Sequence, residues 1–421
     1  MHKRMFILIL TSIILGVACG IVCPQEVLAI RWVGTVFINL LKLISLPLIF
    51  CALVSAVTSM GNMKRLGPIG IYTVGYVLLS VSIAVLIGLV LLNVFQPGQG
   101  VPSSFIFANA TPADLTPLEF SSFLLKLFPS NIIEAAAKFE IMTIVLFSIV
   151  FAIACLSAGE TAKPVIELFT GLRNVFVKMI IWLMYLTPFG LFSLLGAAVA
   201  EASLQNRLLE SVGGMLFFIL IFLGGLLFQV LWQLLLVQWV IKKSSRQFLS
   251  SASNAMLVAF ATSSSMATLP VTLIVAKEQE VSDEVARFVL PLATTINLAG
   301  TAMYEAVSAL FFCQILGMHL SILSQVGVFL TAIVAGMGAT GIPEGGLVTM
   351  IMVLRSVNVP TSAIALLLPF DRILDRFRTM TNVWGDLVCA VTVDHLAKFN
   401  NSKQANRSLL SELSESTSVS R

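Results

Sequence analysis

Of 421 residues, 58% are hydrophobic and only 11% are charged. Soluble globular proteins carry about 25% charged residues, so these proportions exclude an ordinary water-soluble domain and point to a chain that crosses a membrane several times. A net charge of +4 is too small to argue for nucleic acid, and fits the basic flanks of cytoplasmic loops.

MHKR followed by an apolar run lacks a small-x-small cleavage site before Pro24, so it reads as a retained first helix with its basic start in the cytoplasm. Apolar spans are predicted at roughly 5–23, 34–60 and 70–95, bordered by Arg31, Lys42, Lys64 and Arg65. FQPGQGVPSSFIFANATPADLTP is turn chemistry and loop. An amphipathic piece over 121–137 leads to apolar runs at about 140–158, 163–198 and 211–241, the last closing on Lys242, Lys243 and Arg246. The six cysteines, Cys19, Cys23, Cys51, Cys155, Cys313 and Cys389, all lie in apolar runs and read as small core residues rather than a disulfide framework.

The pattern changes after 246. Between 247 and 276 two short apolar arms, NAMLVAF and LPVTLIVA, flank the polar string ATSSSMAT. A full-length span follows at about 288–313, and then a second split segment, with SILSQVGVFLTAIVAG and GLVTMIMVL on either side of GMGATGIPEGG. No single arm has the ~20 residues a spanning helix needs. Two interrupted segments in corresponding positions are the sequence pointer to a transporter binding site in inverted repeats, since freed backbone groups survive at membrane depth only where they line a cavity.

The last apolar stretch, Pro369 to Leu396, carries Asp371, Arg372, Asp375, Arg376, Arg378 and Asp386. Each unpaired charge at a helix centre costs about 2.5–3.5 kcal/mol. The spacing of Asp371, Asp375, Arg378, Thr379, Asn382 and Asp386 puts them on one face of a helix. That face is either a structural ion-pair ladder or a binding site for charged solutes, and intramembrane ionisable residues favour the second.

Four motifs, SSSMATLPVT (263–272), RFVLPLATTINLAGTAMYEA (287–306), GATGIPEGGLVTM (338–350) and DRILDRFRTMTNVWGD (371–386), resemble those of the dicarboxylate/amino-acid:cation symporters. This family includes the excitatory amino-acid transporters. The resemblance implies an all-α polytopic membrane protein of eight transmembrane helices and two re-entrant helical hairpins, built from inverted repeats and working as an elevator. Residues 1–69 and 98–200 would supply scaffold helices 1–2 and 4–5. Residues 70–97 would form transport-domain helix 3, and 201–397 the rest of that domain: helix 6, hairpin 1, helix 7, hairpin 2 and helix 8. A disordered cytoplasmic tail is expected over 398–421 from its polar, Ser-rich composition. The resemblance also implies a homotrimer in a plasma or bacterial inner membrane, with both termini cytoplasmic.

By the same resemblance, Asp375 binds the substrate ammonium and Arg378 its side-chain carboxylate, for which only arginine offers a planar bidentate fork. Thr379 and Asn382 hold the α-carboxylate, the Ser264–Ser265 tip adds backbone donors, and Thr301 assists Arg378. Gly341, Ile342 and Gly346 belong to the closing second hairpin. Family carriers of C4-dicarboxylates lack the aspartate and neutral amino-acid carriers lack the arginine, so L-aspartate or L-glutamate is the expected substrate. Arg376 tunes the site, standing in the last helix while Ser263 occupies the position where archaeal members place an arginine.

Sodium is the implied coupling ion. Asp386, Asn382, Asn297 and the Ala293 carbonyl match one family site. Backbone carbonyls near Thr295, Leu298, Gly336, Met337 and Ala339 match a second. A third departs: Ala299 replaces its carboxylate, and the alignment places Val77 and Val81 where a tyrosine and a hydroxyl residue would serve, leaving Ser80. Fewer coupled sodium ions than in archaeal relatives are therefore expected. Glu305 is a candidate proton carrier, with a neutral structural glutamate or a partner for Arg376 as alternatives; potassium counter-transport stays open. The competing functions are a proton- or sodium-coupled C4-dicarboxylate symporter, a solute sensor or channel, and an intramembrane enzyme using Ser263–Ser265. The enzyme reading lacks a base, because His2, His319 and His395 lie near span ends.

Overall fold

The computed structural model describes residues 2–61, 68–101, 131–138, 141–204, 208–339 and 345–419, and these are helical apart from short turns. The amino-terminal helices are α1 (His2–Val22), α2 (Pro24–Ala29), α3 (Arg31–Gly61) and α4 (Pro68–Phe95). After the 102–130 segment, outside the described residues, come α5 (Ile132–Ala137), α6 (Ile141–Ala158), α7 (Lys163–Leu183), α8 (Thr187–Leu204) and α9 (Leu208–Trp239). The carboxyl half contains α10 (Ser245–Thr262), α11 (Ser265–Glu278), α12 (Asp283–Ile296), α13 (Ala299–Ile315), α14 (Ile322–Gly338), α15 (Gly345–Ser356) and α16 (Ile364–Val419).

Among the described residues four helical stretches are long and apolar enough to cross a membrane: Pro68–Phe95, Leu146–Leu183, Gly213–Trp239 and Asp283–Ile315. A fifth is a pair, Thr11–Val22 and Pro24–Leu40, bent by 119°. The arms α10, α11, α14 and α15 have 12 to 18 residues each. At about 1.5 Å per residue they reach about 18–27 Å, short of a hydrocarbon core of about 30 Å.

Three sequence expectations are corrected. The run at 163–198 is not one helix: it breaks at Met184–Leu186, a single 3-10 turn, just ahead of Pro188, which has no N–H to continue the ladder. The run at 288–313 breaks at Asn297 (φ −97°, ψ 54°) and Leu298 (φ −92°, ψ 55°), between α12 and α13. The freed Gly300 N–H is not left bare, because Asn382 Oδ1 on α16 accepts it at 2.8 Å; a side chain from another helix thus caps α13. Finally, α16 continues as helix to Val419 across the stretch where composition predicts disorder. Its Ala, Lys, Gln, Leu and Glu residues are helix formers, and extending an existing helix needs no new nucleus.

The helices sort by contact into two groups. In one, α1 and α2 pack on α8, while α3 packs on α6, α7 and α8. In the other, α4 packs on α13, and α16 lies against α10, α11, α12, α13, α9 and α4. The α1–α8 contact depends on small residues: a Cβ on Gly20 would stand 2.7 Å from the Gly196 carbonyl oxygen, and one on Gly16 3.1 Å from that of Phe192. With lipid tails as apolar as leucine, such close backbone packing is what holds helices together. Gly20→Val should therefore force α1 off α8, costing about 1–3 kcal/mol, read as a lower midpoint of thermal unfolding in detergent. A normal midpoint would mean that the approach is not needed.

At one end of the second group, Asp394 of α16 accepts from the Ser282 N–H (3.0 Å) and Oγ (2.7 Å) and pairs with Lys398 at 2.6 Å. The turn into α12 is thereby fastened to α16. Lys243 adds a bond to the Gln279 carbonyl in the same turn.

Candidate functional site

Between Asp371 and Asp386 the polar face of α16 is turned inward. Asp371, Asp375, Arg378, Thr379, Asn382 and Asp386 are all buried, and Arg378 and Asp386 are 0% exposed. Arg378 Nη2 lies 2.9 Å from Asp375 Oδ1 and 2.9 Å from Asp371 Oδ1. Its Cζ sits 4.1 Å from the centre of the Tyr304 ring, a cation–π contact. The guanidinium is thus shared between carboxylates one and two turns away, with an aromatic face from α13 below it.

Its remaining donors are not used by the described residues. Nε and Nη1 of Arg378 have no hydrogen-bond partner among the described residues. A Cβ added to Gly346, at the start of α15, would be 3.4 Å from Nη1 and 2.8 Å from Thr301 Cγ2. Glycine there lets the hairpin arm come directly onto the guanidinium. Thr301 in turn accepts from Asn382 Nδ2 at 3.3 Å. The candidate residues Thr301, Gly346, Arg378 and Asn382 therefore meet in one place. Thr379 is buried on the same helix face. Gly341 and Ile342 lie outside the described residues.

Hairpin 1 turns on two residues. Ser263 adopts a left-handed conformation (φ 53°) closing α10, and Ser264 caps α11 by accepting from Ala267 N at 3.2 Å. The buried Ser265 opens α11, where the dipole favours negative charge. Arg376 donates to the Phe260 carbonyl at 3.1 Å and lies over the Phe260 ring, so it braces the end of α10. Glu305 accepts instead from the Thr349 hydroxyl of α15.

A second polar cluster lies one to two turns further along. Asn297 Nδ2 donates to Asp386 Oδ1 at 3.0 Å, while Asn297 Oδ1 and Asp386 Oδ2 have no hydrogen-bond partner among the described residues. Leaving a carboxylate oxygen and an amide oxygen buried without donors is costly, and a hard cation takes oxygen ligands of this kind. Ala293 is buried one turn before the break. Thr295, Met337 and Ala339 line a common cavity of about 320 Å³. The Leu298 carbonyl oxygen approaches Gly336, 3.4 Å from where its Cβ would be.

The expectation at Val77 and Val81 is corrected. Both are buried, but the helix turns Tyr76 and Ser80 into the polar cluster, where Gln233 Nε2 of α9 donates to Tyr76 OH (3.0 Å) and Ser80 Oγ (3.1 Å). Gln229 reaches Ser80 as well, and Trp232 donates to Gln229 at 2.7 Å. This network is wholly neutral. Ala299 is buried and brings no carboxylate. Tyr304, Thr349 and Gln233 had no role in the sequence reading, and Asp371 was placed on the polar face without being named as a partner of Arg378. Asp371 was signalled by its distance of seven residues, two helical turns, from Arg378.

Comparison with known proteins agrees with this geometry. The sequence pattern of the sodium:dicarboxylate symporter family matches residues 5–396. The chain is 28% identical to a proton/sodium-glutamate symport protein of Bacillus subtilis, over 91% of each chain. It is 29% identical to an excitatory amino acid transporter of Caenorhabditis elegans, over 94% of this chain and 88% of the relative. It is also 28% identical to excitatory amino acid transporter 5 of Mus musculus, over 94% and 83%. The family and these relatives are transporters rather than enzymes, and the chain belongs to the sodium:dicarboxylate symporter family.

Proposed function

We propose that the protein is a secondary active symporter that takes up L-aspartate or L-glutamate on the sodium gradient. The observation that carries this reading is the fully buried Arg378 with two of its nitrogens unpartnered among the described residues. A desolvated guanidinium with open donors is costly until an anion completes it, and a carboxylate fits its fork. Asp375, beside it, supplies the negative partner for an ammonium group. The names of the relatives, a glutamate symporter and excitatory amino acid transporters, support the same class.

Asp386, Asn382, Asn297 and Ala293 would hold one sodium ion. Thr295, Leu298, Gly336, Met337 and Ala339 would hold another. The Tyr76–Ser80–Gln229–Gln233 network offers no carboxylate and has its hydroxyls engaged by amides, which supports the loss of a third ion. Glu305 would carry a proton. The eight-helix, two-hairpin elevator, assembled as a trimer in a plasma or inner membrane with cytoplasmic termini, is part of this proposal. The two helix groups, α1–α3 with α6–α8 and α4 with α9–α16, are its support.

Uptake into proteoliposomes, with sodium, proton and potassium gradients imposed one at a time, tests the proposal. An inward sodium gradient should concentrate labelled aspartate, and reversal potentials should give one sodium ion fewer than for archaeal relatives. Succinate should compete poorly; strong competition would favour a C4-dicarboxylate carrier. Failure to concentrate any acidic amino acid would overturn the proposal.

A further inference from the structure

The Thr349 hydroxyl has two acceptors. It donates to Glu305 Oε1, and the carbonyl of Gly346, one turn earlier on its own helix, stands 3.3 Å away. A hydroxyl carries one proton, so it cannot serve both fully. Glu305 is 0% exposed, Thr349 3%, and Glu305 Oε2 has no partner among the described residues. Gly346 is also the residue whose backbone approaches Arg378 and Thr301. A single hydroxyl therefore connects the one buried glutamate of α13 to the turn of α15 that rests on the guanidinium.

We propose that Thr349 is a positioning residue that transmits the protonation of Glu305 to the seat of α15 on Arg378. This rests on the symport reading above. With Glu305 ionised, the hydroxyl is drawn to the carboxylate. With Glu305 protonated, the carboxyl donates a hydrogen bond to Thr349 Oγ1, and the threonine hydroxyl turns to donate its hydrogen bond to the Gly346 carbonyl, closing the first turn of α15 above Arg378. Among the described residues, the charged groups facing Glu305 come from α16: Arg378, with Asp371 and Asp375 behind it. Its own helix adds the Tyr304 phenol. The helices α4 and α14 contain no charged residue, and the basic residue of α15, Arg355, lies in its last turn.

The sign follows from charge. An anionic substrate on Arg378 favours the neutral form of Glu305, so binding takes up a proton and affinity falls as pH rises. One linked proton allows at most about a tenfold change in KM per pH unit.

The test is aspartate uptake by full-length protein in proteoliposomes across a pH series, with equilibrium aspartate binding to the detergent-purified protein alongside. Wild type should approach the one-proton limit over part of the range. Thr349→Ser should superimpose on wild type, whereas Thr349→Val should keep its low-pH KM but show at most about a threefold change per unit. Thr349→Ala replaces it if the valine variant does not give a monodisperse peak. Glu305→Gln should be flat with pH. A flat wild-type profile, a hydroxyl-free variant that superimposes on wild type, or a serine variant that behaves like valine would each overturn the proposal. Binding that follows the predicted profiles without uphill uptake would instead overturn the symport reading and leave the role of Thr349 standing.

Discussion

Arg378→Ala abolishes high-affinity binding of aspartate and glutamate. Two effects add. The substrate loses its fork, and removal of one partner from a buried charged contact costs about 2–5 kcal/mol, or about 30-fold to several thousandfold in affinity. The variant also leaves Asp371 and Asp375 without their counter-charge, a further loss of stability of about 3–5 kcal/mol. For that reason Arg378→Lys is the sharper instrument. It keeps the charge for both aspartates but replaces a planar fork with a point charge, so it should fold while losing most acidic-substrate affinity. Equilibrium binding to purified protein, with unfolding midpoints measured in parallel, checks both variants. Unaltered acidic uptake in Arg378→Ala would remove the arginine from the site.

Asp386→Asn has a different signature. Asparagine can still accept from Asn297, as Asp386 Oδ1 does at 3.0 Å, so the packing between α16 and the α12–α13 break survives. What goes is the negative charge at Oδ2, which has no donor among the described residues. Half-saturation by sodium should rise at least about tenfold, equivalent to about 1.4 kcal/mol, while aspartate affinity recovers at high sodium because Arg378 is untouched. Sodium titrations of uptake at saturating aspartate measure this. An unchanged sodium dependence would place the cation elsewhere.

Much of this was readable from sequence, for definable reasons. Hydropathy located the long apolar helices, and the short arms around ATSSSMAT and GMGATGIPEGG matched the short helices α10, α11, α14 and α15, because length and polarity are local properties. The one-sided spacing of the charges in the last helix foretold that they would be buried together. What failed depended on neighbours. The break at Asn297–Leu298 sits between the apolar Ile296 and Ala299, in a run with the overall hydropathy of a continuous span; the new helix start is capped by Asn382, far along the chain. On α4 nearly every face is apolar, so periodicity could not choose between Tyr76 and Val77. The choice is made by Gln233, which no pattern on α4 reveals. The sharing of Arg378 between two aspartates was hidden for a similar reason: either carboxylate alone would satisfy the spacing.

The composition of the buried face has one more consequence. Among the described residues, Asp371, Asp375, Asp386 and Glu305 are four buried carboxyl groups set against one buried guanidinium, Arg378, while the buried Asp394 further along is paired with Lys398. With all of them ionised, a resting core of that kind repels any anionic guest, which can enter only with positive escorts or after a carboxyl has been neutralised. Dependence on cations would then be a condition of admission, set by the ratio of acidic to basic groups inside the bundle before any particular ligand sphere is considered.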